Sequence, residues 1–459
     1  DALFTEAARA FLAQDWSLAA SAFGRLLKAL ALEEAFSGSE YPEDMLETDL
    51  SEARTRYLRA AYEAAPSSER ARALLDAIHD LGPEAWRAVN LAAMGEACEA
   101  PMSDLALFLP AWVTVLEGVR LEPSYMDCDR IRALAEAGFM AEGVQGLARL
   151  AREQGNRHPV LYKRWLDELL RVDRRDDALA VAREGAERVI DGVDAATLAD
   201  RLAGIARAMG RSDIEEYGCR LAWRKDPSSV RFLRLHRARR SSDPDGYRLA
   251  VAEVEAARLA EYRLPRKLGF MLDLLIEDLP SLLAATLKAA PVGWSSGSTL
   301  SSVSVPFLLV AASGVDKSTE CATLSIFWRE LTDARMHPEY NIDKGRDENV
   351  GEDGELSWEP LLRAAIERLT HPSASRRQAL SGAREAAMRR IEAIVSGGHR
   401  DAYGRVAQLA VAVGEAMSAL GDAPETIRWL AGVRASFPRH SAFKRELEAA
   451  MRRSDKVKV

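Results

Sequence analysis

One helical plan recurs through the middle of this chain, and it limits the fold more than any other feature. Four successive segments carry it: DRIRALAEAGFMAEGVQGLARLAREQ, VLYKRWLDELLRVDRRDDALAVAREGAERV, DAATLADRLAGIARAMGRSDIEEYGCRLAWRK and SVRFLRLHRARRSSDPDGYRLAVAEVEAARLA. Each is a pair of stretches with apolar residues at i, i+3, i+4 and i+7, the period of a helix that buries one face. The turns inside the pairs are expected near Gly138, Asp173, Gly210 and Asp243, which lie 35, 37 and 33 residues apart. A single helix pair cannot bury its apolar face alone, so pairs recurring at this interval must stack on their neighbours. The N-terminus follows the same rule. Ala7, Ala8 and Phe11 share one helix face, a turn is expected at Gln14-Asp15, and Ala19, Ala20 and Phe23 form the facing stripe. Small residues let such helices approach closely while aromatics fill the space between them.

The pairing of small with aromatic positions, with Ala178, Ala182 and Ala186 on one helix and Tyr162, Trp165 and Leu169 on its partner, resembles the tetratricopeptide family. The consensus Trp-Leu-Gly-Tyr set is incomplete in every repeat, and Gln14-Asp15-Trp16 lacks the usual glycine. The resemblance covers about half the chain and implies an all-α fold, a tetratricopeptide-like α-solenoid of stacked antiparallel helix pairs with an irregular central insertion. Four regions are expected: an N-terminal helical region (1–124), a degenerate repeat array (125–262), a helical and irregular linker (263–357) with an acidic loop at 336–356, and a C-terminal helical repeat region (358–459). In the last region Gly421-Asp422 and Pro438 separate three helices. Its segment Phe437 to Leu447 resembles the end of uncharacterised bacterial helical proteins, some of which accompany a SWIM-type zinc finger. This chain has no clustered Cys and His for such a finger, so the resemblance would place it upstream or on a separate protein.

With 459 residues, 48% of them hydrophobic, the chain can build sizeable cores. A net charge of -8 is mild and argues against a nucleic-acid or membrane binder acting along its whole length. No apolar run reaches membrane-spanning length and no signal peptide is recognisable. The chain begins at Asp1, which leaves room for an upstream portion. Four scattered cysteines, Cys98, Cys128, Cys219 and Cys321, form no C-x-x-C and suit a reducing cytoplasm.

Between the helical arrays, Pro291 to Thr319 holds two patterns that look catalytic. Gly293-Trp294-Ser295-Ser296-Gly297 matches the G-x-S-x-G of a nucleophile elbow, but that turn requires a strand before the serine and a helix after it. Here a helix ending near Pro291 precedes it and a Ser/Val-rich stretch follows. Lys317-Ser318 looks like the end of a phosphate loop, yet the two required glycines are replaced by Ala311 and Asp316. Asp316 would set a carboxylate against phosphate oxygens. Pro291 to Thr319 therefore reads as an irregular junction, with Pro306 at the first position of an apolar helix and serines capping helix ends.

No metal is expected: the seven histidines are dispersed, and no pair has the i, i+4 spacing of a helical zinc site. The acidic loop carries seven acidic against two basic residues but fits no EF-hand register, and no cofactor is called for. The sharpest polar feature is basic. RFLRLHRARR places Arg231, Arg234 and Arg237 near one helix face. If the first helix of each pair lines a groove, Lys163 and Arg201 join them, and the five residues become the candidate partner-binding set. Such a groove suits an acidic segment of a protein partner. The favoured reading is a non-catalytic scaffold or adaptor. A nucleic-acid-associated module using the basic helix is the alternative, and an unrecognised hydrolase around Ser295 or Lys317 is the third reading.

Overall fold

In a computed structural model, the described residues are 1–31, 46–120, 124–190, 192–240, 264–294, 297–333, 356–371 and 374–457, with Ala252 and Ala256 as isolated positions. Every regular element among them is helical, apart from one isolated antiparallel bridge between Asp333 and Ser357. The all-α expectation therefore holds. The chain divides into two compact units, Asp1–Leu198 and Ala199–Val459.

The N-terminal unit begins with α1 (Ala2–Leu12) and α2 (Trp16–Ala31), followed by α3 (Leu50–Ala64), α4 (Arg70–Leu81), the short α5 (Leu91–Glu96) and α6 (Leu105–Gly118). It continues through α7 (Ser124–Glu142), α8 (Val144–Gln154), α9 (Val160–Arg171) and α10 (Arg175–Arg188), and α11 (Val193–Ala208) runs across the unit boundary. Helices here pack mainly on their sequence neighbours: α1 on α2, α2 on α3, and then each of α6 to α9 on the next, with α7 also meeting α9. The stripes read from the sequence are the packed faces. Ala7, Phe11, Ala19 and Phe23 are buried, with Ala8 and Ala20 half-buried beside them, and Tyr162, Trp165, Leu169, Ala178, Ala182 and Ala186 are buried too.

The turns at Gln14 and Asp173 are where the periodicity places them, both in the left-handed region that a tight reversal needs, with φ of 59° and 56°. Gly210, just after α11, has φ 69°. Gly138 is a correction. Helix α7 runs straight through it, and the chain reverses at Gly143, where φ is 61°. Gly138 and Gly146 instead mark the crossing of α7 and α8. A Cβ on Gly146 would lie 2.2 Å from the Gly138 carbonyl oxygen, and one on Gly138 would lie 2.5 Å from Leu150 Cδ1. Both glycines are there for close approach, which a pattern reading mistakes for a break. The turn expected at Asp243 lies outside the described residues.

The C-terminal unit continues with α12 (Ser212–Lys225), α13 (Ser229–Arg240), α14 (Arg266–Ile276) and α15 (Leu279–Lys288), then α16 (Ser301–Ser313), α17 (Val315–Thr319) and α18 (Leu324–Thr332). It closes with α19 (Glu359–Leu369), the long α20 (Ala374–Ser396), α21 (Tyr403–Ala419), α22 (Ala423–Ser436) and α23 (Ser441–Arg453). The breaks at Gly421-Asp422 and Pro438 separate the last three as expected. The organisation differs from the N-terminal unit. Helix α16 packs against α14, α15 and every helix from α17 to α21, and all of its residues except Ser302 are buried. The stretch read as an irregular junction is thus the centre of a core. The helix starts at Ser301, five positions before Pro306, which stands inside it at the cost of one backbone hydrogen bond. Its buried serines are satisfied within the protein. Ser304 Oγ accepts from Thr286 Oγ1 at 2.8 Å, Ser313 Oγ donates to the Leu309 carbonyl at 2.8 Å, and Ser301 Oγ donates to the Ala290 carbonyl at 3.1 Å.

Candidate functional site

The five residues of the expected partner-binding set do not form one exposed surface. Lys163 donates to Asp194 at 2.7 Å in the N-terminal unit. The other four lie in the C-terminal unit, where Arg201 and Arg237 are half-buried and already engaged with neighbours. Arg231 and Arg234 are 4% and 7% exposed. Arg231 Nε donates to Asp200 Oδ2 at 2.8 Å and its Nη1 also meets the Asp226 carboxylate, while Arg234 Nη1 donates to Asp200 Oδ1 at 3.0 Å. Their spacing of three does put them on one face of α13, but that face turns inward onto α11 and α12. The reason is electrostatic. Asp200 is buried, and each of its oxygens needs a donor, which the two guanidiniums supply. Asp200 lies on α11, too far back along the sequence for the spacing within α13 to reveal it.

The two apparent catalytic patterns also resolve. Ser295 and Ser296 lie outside the described residues. The elbow's flanks are α15 before and α16 after, so the strand that such a turn requires is replaced by a helix. Lys317 donates from Nζ to the Ala419 carbonyl at 3.0 Å, at the C-terminal end of α21, where unpaired carbonyls attract a cation. Asp316 pairs with Arg363 at 3.1 Å. Residues 336–355 of the acidic loop, His337 among them, lie outside the described residues. Cys219 and Cys321 are buried thiols, pushed up to about 12 and about 11, in both cases by burial first. Among the described residues no group of three or more His, Cys, Asp or Glu side chains is placed to hold a metal ion, and no helix is long and apolar enough to cross a membrane.

Two clefts remain. The first, in the N-terminal unit, is a side-chain-sized opening of about 250 Å³ between α8, α9 and α10. Ala148, Trp165, Leu169 and Val181 form its apolar walls. Its rim is ionic. Arg152 holds Glu184 through bonds of 3.1 Å from both Nε and Nη2, with its guanidinium 4.9 Å from the centre of the Trp165 ring. Tyr162 Oη and Arg188 Nη1 donate to the same carboxylate at 3.1 and 3.0 Å. Burial alone would raise the Glu184 pKa, but the hydrogen bonds from Arg152 and Tyr162 outweigh it and hold the group below the usual carboxylate range. On the other side of the opening Arg174 Nε pairs with Asp177 at 2.7 Å, and Ala180 is exposed on the wall.

The second cleft, in the C-terminal unit, is far larger, about 920 Å³. Val292, Gly293, Trp294 and Gly297, between α15 and α16, line one wall, with Gly293 and Gly297 at φ of 84° and 61°. That segment is pinned by its hydroxyls: Ser298 donates to the Gly293 carbonyl at 3.1 Å and Thr299 to the Ala290 carbonyl at 3.0 Å. Trp294 Nε1 donates to Ser301 Oγ at 3.0 Å, which fixes the indole beside Arg390 of α20. The Arg390 guanidinium lies 4.2 Å from the ring centre. Opposite, Arg405 of α21 sits 4.1 Å over Phe327 and pairs with Glu330. None of the five residues of the expected partner-binding set lines this cleft, whereas Gly293, Trp294 and Gly297 of the G-x-S-x-G pattern do. Neither a protein-family model nor a curated protein sequence matches the chain.

Proposed function

We propose that the protein is a non-catalytic adaptor of tetratricopeptide-like plan, whose N-terminal unit holds a segment of a partner protein in the cleft between α8 and α10. The observation that carries this reading is the cleft's construction: an apolar floor at Trp165 and Leu169 under a rim of opposed charges. Sequential helix packing from α6 to α10 supports the stacked-pair plan, because successive pairs leave a furrow between alternate helices. Arg174 and Arg152 are about half exposed, so an acidic residue of the partner could exchange for Asp177 or Glu184 by a charge-assisted bond. The use of Lys317 as a helix-end donor supports the non-catalytic part of the reading.

The test is a capture from native lysate, with and without nuclease, using the wild-type chain and Ala180→Arg. Ala180 is exposed on the cleft wall, so the new side chain fills the opening and spares the core. A defined protein retained after nuclease and lost with Ala180→Arg is the expected result. Retention of nucleic acid alone, or of a protein indifferent to Ala180→Arg, contradicts it.

A further inference from the structure

We propose that the large cleft of the C-terminal unit binds a small organic oxyanion, a carboxylate or phosphate ester, with its charged group on Arg390 and its apolar body against Met271, Val303, Pro306 and Leu331. This site is in the other unit from the partner cleft, and either can fail without the other.

Arg390 carries the argument. It is 5% exposed, yet among the described residues its guanidinium is hydrogen-bonded only to the Pro291 carbonyl, at 2.8 Å from Nη1. Its Nε is buried without a hydrogen-bond partner. The contrast is with Arg231 and Arg234 of the same unit, equally buried and each bonded to a carboxylate. Burying a cation without a counter-ion is strongly unfavourable, and the Trp294 face and one neutral carbonyl offset only part of that. Burial, with repulsion from Arg405 second, lowers the Arg390 pKa to about 10. The group is therefore still charged at neutral pH, and uncompensated.

The surroundings complete the case. Lys267 and Arg405 line the same cleft as Arg390. The acids facing it are Glu330, which is occupied by Arg405, and Asp401, which is exposed. His399 is also exposed there. An anion entering would meet the buried guanidinium at Trp294, while α14, α16 and α18 present apolar side chains to the rest of the molecule. A cleft of this size, mostly apolar with a few convergent polar groups, has the form of a small-molecule site. A guanidinium with free donors selects planar or tetrahedral oxyanions by paired hydrogen bonds.

The test is calorimetric titration of the full chain with 1-naphthoate, 1-naphthyl phosphate and the neutral 1-naphthalenemethanol. Saturable one-site binding of at least one anion is expected, with the alcohol at least tenfold weaker. Whichever anion binds more tightly identifies the headgroup. Arg390→Gln should weaken the anion at least tenfold and leave the alcohol unchanged. Should Arg390→Gln fail to fold by circular dichroism, Ser302→Phe serves instead. It fills the cleft from the one residue of α16 that is not buried, leaves Arg390 in place, and should abolish binding. Equal affinity for anion and alcohol, no anion binding at millimolar concentration, or binding that survives both variants would each overturn the proposal.

Discussion

The two units use similar helices to opposite effect. In the N-terminal unit most helices rest mainly on their sequence neighbours, and backbones touch where glycine permits, as at Gly138 and Gly146. In the C-terminal unit α14, α15 and α17 to α21 surround α16, and the ties between them span large distances in sequence. Glu415 of α21 reaches the N-terminus of α18, 92 and 91 positions back, and Arg390 reaches the Pro291 carbonyl across 99. Local packing is expected to open piecemeal, while packing around one shared helix is expected to open all at once. The contrast also bears on function. The cleft between neighbouring helices of the first unit is small, about 250 Å³, and the one among the helices around α16 is large, about 920 Å³.

The largest break of this contrast should come at Glu415, which is fully buried. Its carboxylate accepts from the Leu324 N–H at 2.8 Å, the Thr323 N–H at 3.1 Å and Ser454 Oγ at 2.6 Å. Glu415→Ala strands those donors and should cost about 3 kcal/mol or more. Denaturant unfolding should show the whole C-terminal unit lost in one step at lower denaturant, with the N-terminal transition unmoved. Smaller is Gly146→Ala, which drives a Cβ into the Gly138 carbonyl. A loss of about 1–3 kcal/mol is expected, confined to the N-terminal transition and accompanied by faster proteolysis around α7 and α8.

The smallest effect is a pH dependence. Because Glu184 titrates below its ordinary range, its contribution is complete above the unfolded carboxylate's pKa and disappears as pH falls through the lower folded value. Glu184→Gln should therefore be less stable than wild type by about 1 kcal/mol at neutral pH. The gap should close in acid, and a gap that persisted there would assign the loss to packing instead of charge.

These differences also explain what the sequence could disclose. Amphipathic periodicity is written wherever a helix has one wet face, so α1, α2, α9, α10 and the three last helices could be recognised, together with their turns at Gln14, Asp173, Gly210 and Gly421. Of helix α16 only the apolar half from Pro306 could be recognised, because burial of all its residues but Ser302 leaves it no polar face, and its serines, satisfied internally, imitate a loop. The basic helix was visible as a charge pattern but its direction was not, since Asp200 comes from another helix. Neither cleft could be read at all. Trp294 and Arg390 meet only through the fold, and the glycine that looked like a turn at 138 gains its meaning from Gly146 across the helix crossing.

The central claim is that residues 301–313, which look like a junction, form the core on which the C-terminal unit is built. Amide hydrogen exchange followed by mass spectrometry tests it directly. Peptides covering α16 should be the slowest-exchanging in the C-terminal unit and should exchange only with its global opening. Exchange of that segment on the timescale of an exposed loop, while α20 and α21 stay protected, would contradict the account.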